Sequence, residues 1–538
     1  AFDDWLTHPA GLGSVPPEKH GTEVAVVGAG MAGITAAYEL MKLGLKPVVY
    51  ESRRLGGRLH SEPFKAAGGH VVAELGGMRF PKGSTTFYHY LDRFGLETRP
   101  FPNPLVAATP STVIDLDGQP IHARTGEDLP PLLREVADAW YDALEEHASF
   151  ERMQAALAAR DVRAIKEIWD PLVPVWDDRS FYGFIATSKA FREHSFRHLE
   201  VFGQVGFGTG GWDTDFGNSM LEILRVVYTN CDEDQHFVVG GVEQVPRRIW
   251  QDAPEKPVHW PGGTSLHTLH GGATRPGVTR LERRSDGRIT VVDRWGDRRA
   301  YEAVLVTCQS WLLTTHISTD ESLFHPRLWM GLDRTRYAQS SKTFVMVDRP
   351  FWKDRDPETG HDVMSMTLTD RLTRGTYLFD LGDDQPGVIC LSYAWNNDAL
   401  KMLPLPVDQR VELALGALEA IYPKAGIRRH IIGDPITVSW EDDPNFLGAF
   451  KAAMPGHYRY HRRMYCHFMQ DEMPPEHRGI FLAGDDVGWI PGWVEGATTT
   501  ALNAVWGIVH HLGGGTHADN PGPGDRFDDL APLSLPEP

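Results

Sequence analysis

Val24-Ala25-Val26-Val27-Gly28-Ala29-Gly30-Met31-Ala32-Gly33, followed by residues 34–43 and by Val48-Val49-Tyr50-Glu51, carries the strongest structural signal in the chain. Four consecutive small apolar residues, 24–27, predict a buried strand, and the apolar periodicity of 34–43 predicts a helix. Three glycines stand between them. Gly28 permits a tight turn, Gly30 lets backbone approach a pyrophosphate, and Gly33 lets the helix pack close on the strand, so that the helix N-terminus faces the phosphates. Residues 48–50 read as the next strand and deliver Glu51, 23 residues after Gly28, where a carboxylate reaches a ribose hydroxyl pair. Strand, helix, second strand and acid at these spacings predict a Rossmann-like dinucleotide-binding unit.

The residues after Glu51 distinguish the dinucleotide. Arg53, Arg54, Gly56, Gly57 and Arg58 put positive charge and flexible backbone just beyond the ribose, where the phosphates and ring system of FAD would lie. A second glycine pair follows in Glu74-Leu75-Gly76-Gly77-Met78-Arg79-Phe80. Far along the chain, Gly479-Ile480-Phe481-Leu482-Ala483-Gly484-Asp485 reads as a short strand closing on a turn, and Pro491-Gly492-Trp493-Val494-Glu495-Gly496-Ala497 as the start of a helix. These motifs, in this order, resemble those of the flavin amine oxidases. More narrowly, the chain resembles bacterial L-amino acid oxidase/monooxygenases of the lysine and arginine type, from Ala1-Phe2-Asp3-Asp4-Trp5 almost to its last residue.

The resemblance implies an α/β fold with a Rossmann-like FAD-binding domain, an α+β substrate-binding domain and a helical insertion. The FAD-binding domain is expected to be discontinuous, built from 1–80, 238–324 and 451–512, and the substrate domain from 81–124 and 325–450. The insertion spans 125–237, where Leu132, Leu133, Val136, Trp140 and Leu144 recur at helical spacing. An extended, surface-draped tail is expected over 513–538, which is rich in Gly, Pro and Asp. Matching the family's flavin site are Gly28, Gly30, Met31, Ala32, Gly33, Glu51, Ser52, Gly57, Arg58, Gly77, Met78, Arg79, Val278 (against the adenine), Gly484, Asp485, Trp493 and Val494.

Composition narrows the partners. Fifty-three basic against 72 acidic residues give a net charge of −19, and no basic cluster is interleaved with aromatics, which argues against a nucleic-acid surface. No apolar run reaches the ~20 residues that span a bilayer, so no membrane partner is expected. The four cysteines, Cys231, Cys308, Cys390 and Cys466, form no CxxC pair, and a reducing, cytoplasmic setting is the expectation. No signal peptide is visible, and the absence of Met at position 1 suggests a processed or truncated N-terminus. A homodimer is the expected assembly.

Gly206-Phe207-Gly208-Thr209-Gly210-Gly211 does not read as a second phosphate loop, because no apolar strand precedes it and Trp212-Asp213-Thr214-Asp215 follows in place of a helix. Without a second nucleotide fold, the substrate itself must reduce the flavin, with O2 as the oxidant. Arg79 can hold a carboxylate through two parallel charge-assisted hydrogen bonds, although an arginine after a glycine pair is equally a surface or flavin contact. In the resembling amino acid oxidases the matching arginine binds the substrate α-carboxylate, and a tyrosine matching Tyr393 shares the task. Lys342, in Ser340-Ser341-Lys342-Thr343-Phe344, matches the family lysine that holds a water near flavin N5; the plain alternative is a lysine on the solvent face of a strand.

Trp493 and Trp395 are candidate walls of an aromatic cage, or ordinary core tryptophans. Cys231 is a candidate for tuning the reaction's outcome, or a small buried hydrophobe. Asp215 matches the acid that meets the distal cation in the lysine and arginine enzymes, or else belongs to a turn before a helix capped by a Ser219/Glu222 capping box. The resemblance implies oxidation of L-lysine or L-arginine to the imino acid with hydrogen peroxide formation. The imino acid then yields 2-oxo acid and ammonia, or is decarboxylated oxidatively to the amide. An aromatic L-amino acid 2-monooxygenase is the alternative, and a catalytically silent flavoprotein is the reading of a different class.

Overall fold

A computed structural model describes residues 2–205 and 217–537. Its nucleotide half is a five-stranded parallel sheet in the order Arg275–Pro276, Lys46–Glu51, Glu23–Val27, Val304–Val306, Ile480–Leu482. Covered on both faces, the central strands read as unbroken apolar runs. Helices Met31–Lys42 and Val494–His511 seal one face through Ile34, Leu40, Leu502 and Val505. On the other face Val48, Val304 and Ile480 meet Leu281 and Val291 from the antiparallel strands Val278–Arg283 and Ile289–Asp293.

Helix Thr85–Arg93 belongs to this half, although the expected boundary at residue 81 assigns it to the substrate domain. Phe87, Tyr90 and Leu91 pack in the same core as Leu40 and Leu502. The backbone N–H groups of Thr86 and Phe87 donate to the Glu495 carboxylate at 3.0 and 2.9 Å, so one side chain closes the open donors of that helix.

The second half is a seven-stranded sheet in the order Ile431–Ser439, Ser340–Val347, Gly387–Trp395, Gly375–Phe379, Met366–Thr369, Thr112–Leu116, Gln119–Ala123. Val345, Val347, Ile389 and Leu391 face helix Val407–Ile421, while Phe344, Met346, Val388 and Cys390 face the main core under the helical insertion. The pairing of Ser340–Val347 with Gly387–Trp395 slips by one residue. Thr343 is opposite Ser392 and Phe344 opposite Cys390, which leaves Leu391 as the extra residue of a bulge. Strict alternation would turn Tyr393 and Trp395 toward helix Val407–Ile421; the bulge returns them to the face of Lys342, Phe344 and Cys390.

Seven helices of the insertion are described, from Pro131–Ala148 to Met220–Tyr228. The expected capping box at 219–222 does not form. Ser219 stands at the N-cap without a side-chain capping bond, and Glu222 instead accepts the Ala453 N–H at 2.9 Å, because a neighbouring extended segment offers a buried donor. Residues 531–533 are pinned between the insertion and helix Tyr458–Tyr465. Lys166 donates to the Ala531 carbonyl at 2.6 Å, Arg462 to Pro532 at 2.9 Å and Tyr458 to Leu533 at 2.8 Å. Among the described residues no helix is long and apolar enough to cross a membrane.

Candidate active site

A cavity of about 520 Å³ runs from the glycine turn of the parallel sheet to the bulged strand of the seven-stranded sheet. At its nucleotide end the wall is formed by Gly28, Gly30, Met31, Ala32, Glu51, Ser52, Gly57, Arg58 and Val278, and further along by Gly77, Met78, Arg79, Gly484, Asp485, Trp493 and Val494. Gly33 is set back from the wall. A Cβ there would lie 2.0 Å from the Gly28 carbonyl oxygen, so its role is the close seating of the helix on the turn. Gly30 and Gly57 meet backbone to backbone, a Cβ on Gly57 reaching to 3.1 Å of the Gly30 Cα, which leaves a floor without side chains where a pyrophosphate fits.

Glu51 ends its strand with one carboxylate oxygen accepting the Ala29 N–H at 2.8 Å and the other the Arg53 N–H at 2.9 Å. Burial pushes its carboxyl above the usual range, and those two hydrogen bonds oppose the shift. The carboxylate is thereby fixed beside the turn with acceptor capacity left for ribose hydroxyls. Glu51→Ala is expected to weaken FAD retention about tenfold or more, the loss of hydrogen bonds to a charged group, while the spectrum of bound flavin stays the same. Titration of the apoprotein with FAD measures this; unchanged affinity removes Glu51 from the ribose.

Arg53 and Arg54 do not supply free charge to the phosphates as their position in sequence suggests. Arg53 is paired with Asp443, and Arg54 with Glu243, while Arg54 also donates to the Gly57 carbonyl at 2.6 Å. Arg53 is exposed and Arg54 partly buried, and each pairs with the carboxylate beside it. Arg58 alone of the three lines the cavity, paired with Asp485 and donating to the Ala449 carbonyl at 2.9 Å.

At the other end stand Arg79, Lys342, Tyr393 and Trp395. Arg79 lies over the rings of Phe101, Tyr377 and Tyr393, 5.5, 5.7 and 5.6 Å from their centroids, and donates to Asn103 Oδ1 at 3.4 Å. That aromatic collar fixes the stem of the side chain and directs its planar fork. Lys342 is directly opposite Tyr393 in the strand pairing, its ammonium 4.8 Å from the Tyr393 ring centroid. It is buried and donates to the Gly76 carbonyl and, at 3.1 Å, to the Glu74 carbonyl. Burial, reinforced by the Arg79 charge, pushes its pKa down to about 7. Trp395 meets Tyr393 edge-on at 5.1 Å and Phe450 at 5.8 Å, forming an aromatic wall.

Cys231 is buried behind the wall rather than on it, its sulfur 3.2 Å from Thr229 Oγ1, and burial pushes the thiol up to about 12. Asp215 and the glycine run before it lie outside the described residues. The cavity wall also carries charged residues that sequence reading did not place at the site, among them Asp232, Glu222 and Lys451. Among the described residues Glu222 Oε2 and Lys451 Nζ are buried with no hydrogen-bond partner; burial pushes the Glu222 carboxyl above its usual range, and the Lys451 and Arg225 charges oppose that shift. Local sequence holds no signal for Asp232, because its neighbour at the site, Arg79, is brought to it by the pairing of Phe80 with His236.

The sequence of this chain is matched by the family model described as flavin containing amine oxidoreductase over residues 31–509. Tryptophan 2-monooxygenase of Pseudomonas savastanoi is 31% identical over 547 residues, which cover 95% of this chain and 93% of that protein. The mouse (Mus musculus) L-amino-acid oxidase is 24% identical over 92% of this chain and 71% of its own length. Among solved structures, putrescine oxidase bound to putrescine superimposes with a TM-score of 0.68 at 19% identity, covering 91% of this chain and 99% of that one.

Proposed function

As a member of the flavin containing amine oxidoreductase family, the chain is an FAD-dependent oxidoreductase, and we propose that its substrate is an L-α-amino acid, oxidised at the α-carbon with O2 as final acceptor. The observation that carries this reading is the Arg79 guanidinium, collared by aromatic rings at the cavity wall beside Tyr393. A simple amine offers that fork nothing to bind, whereas an α-carboxylate fills it.

The residues then divide the work. Arg79 and the Tyr393 hydroxyl hold the carboxylate, which fixes where the α-carbon lies. FAD, when bound, supplies the two-electron acceptor and the reaction with O2. Lys342, with its pKa near 7, holds or releases a proton at Nζ while the Glu74 and Gly76 carbonyls keep it in place. Trp395 and Trp493 close the sides and exclude water. Release of the imino acid gives 2-oxo acid, ammonia and hydrogen peroxide; attack of peroxide on a retained imino acid gives carbon dioxide and an amide one carbon shorter.

Different observations support two side-chain classes. Similarity to tryptophan 2-monooxygenase along nearly the whole chain supports an aromatic side chain and the amide-forming branch. The Glu222 carboxylate at the cavity wall favours a basic side chain, lysine or arginine, with Asp215 as a second acid; the nearby Lys451 and Arg225 charges oppose it. Between these the aromatic reading has the broader support.

Aerobic turnover of tryptophan, phenylalanine, lysine and arginine, with peroxide, ammonia and carbon dioxide followed together, tests both. The aromatic reading expects kcat/KM for tryptophan or phenylalanine at least about tenfold above lysine, the discrimination one apolar pocket can supply, with carbon dioxide released. The reverse order would establish the basic reading, and no turnover of any amino acid would end both.

A further inference from the structure

Oxidation of an amino acid at its α-carbon needs the amine as the free base, yet the substrate arrives at neutral pH as an ammonium ion. A proton acceptor is required next to the carboxylate clamp, because the α-nitrogen and the α-carboxylate share one carbon. Lys342 is poorly placed for this task, since its Nζ is already engaged by two backbone carbonyls.

Asp232 is the acid on the cavity wall whose carboxyl feels the Arg79 charge. It lines the wall together with Arg79, and the two are close enough for the guanidinium to pull on the carboxyl without a direct ion pair between them. The turn that carries it is tied to the layer of Arg79. Gln235 donates to the Cys231 carbonyl at 2.7 Å, Asn103 donates to Gln235 Oε1 at 2.7 Å, and Arg79 donates to Asn103. Lys82 N–H closes the same turn onto the Asp234 carbonyl at 3.1 Å.

Resting on the amino acid reading above, we propose that Asp232 is the catalytic base that takes the proton from the substrate α-ammonium bound at Arg79. One N–H bond of the ammonium breaks and one O–H bond forms on the carboxylate. No electrons change hands, and the proton leaves to solvent before the next turnover.

The surroundings suit the role. Burial pushes the carboxyl up to about 7, Arg79 pulls it down and Glu233 pushes it up. The Cys231 thiol beside it stays neutral, and Lys342 and Tyr393 share the same cavity. A carboxyl poised near the working pH can accept a proton and give it up again.

The holoenzyme tests this through the pH dependence of kcat/KM for its best amino acid. In the unaltered protein the acid limb is expected near 7, where Asp232 titrates. Asp232→Asn should move that limb up to the ammonium pKa of the free amino acid, with a loss of about 100-fold at pH 7, the usual weight of a general base. The loss should shrink to within a few-fold at pH 10, where the substrate arrives already neutral. Asp232→Glu should restore the limb. A loss by Asp232→Asn that is equal at every pH, or a limb that stays in place, would overturn the proposal and leave Asp232 as charge balance for Arg79. Failure of the amino acid reading looks different, because the unaltered holoenzyme would then turn over none of them at any pH.

Discussion

Arg79→Ala is expected to lower kcat/KM for every L-amino acid by about 10³-fold, the equivalent of ~4 kcal/mol for truncating one partner of a buried charge-assisted pair. The loss has two parts. The carboxylate forfeits its hydrogen bonds, and the α-carbon forfeits its alignment, so kcat falls together with a rise in KM. Arg79→Lys separates them: it keeps the charge but not the fork, and a point charge on a flexible stem should restore binding more than turnover. The collar of Phe101, Tyr377 and Tyr393 persists in both variants, and FAD content should match that of the unaltered protein. Steady-state kinetics with the FAD occupancy recorded for each preparation decides the matter; near-normal kinetics would remove Arg79 from the substrate site.

Gly76→Ala should be the most damaging alanine substitution among the described glycines. A Cβ at that position falls 1.5 Å from the Arg58 carbonyl oxygen, backbone against backbone, so no rotamer change relieves it. The neighbouring Gly77 N–H donates to the same carbonyl at 3.2 Å, and the Gly76 carbonyl receives the Lys342 ammonium. Separating the two strands of chain therefore disturbs the cavity-lining turn and the lysine anchor at once. A destabilisation of ~3 kcal/mol or more is expected, with loss of bound FAD. Gly416→Ala serves as the control of opposite sign. Gly416 lies within helix Val407–Ile421 with open space around its Cβ position, and alanine there should stabilise by up to ~1 kcal/mol. Thermal unfolding and flavin stoichiometry of the two variants read both effects.

The nucleotide end of the site was legible because its physics is local. Gly28 to Gly33 and Glu51 act through a turn, a helix end and the strand beside it, and the N–H groups that hold the Glu51 carboxylate, those of Ala29 and Arg53, lie within the same short stretch. The substrate end was legible only through resemblance. Strand alternation alone gives no reason for Tyr393 to share a face with Cys390, and the bulge at Leu391 that makes them share it depends on pairing with residues some distance away in sequence. Arg53 and Arg54 show the opposite failure: their sequence position beside the acid suggested phosphate contacts, and Asp443 and Glu243, far along the chain, claim them. Glu222 stands at capping-box spacing from Ser219, yet a donor from Ala453 competes successfully for its carboxylate. Arg53, Arg54 and Glu222 are all charged, and the partner that decides the place of each is brought in by tertiary packing.

The parallel sheet also sets a timetable for synthesis. Val304–Val306 takes Ile480–Leu482 as its outer neighbour, so a growing chain must add residues 307–479 before that edge is covered. At the usual pace of translation this leaves an apolar strand edge open for on the order of ten seconds or more. The cavity-lining segment at 484–494 emerges later still. The complete cavity wall therefore exists only once residue 494 has been made, and the supply of FAD should matter for yield chiefly from that point on.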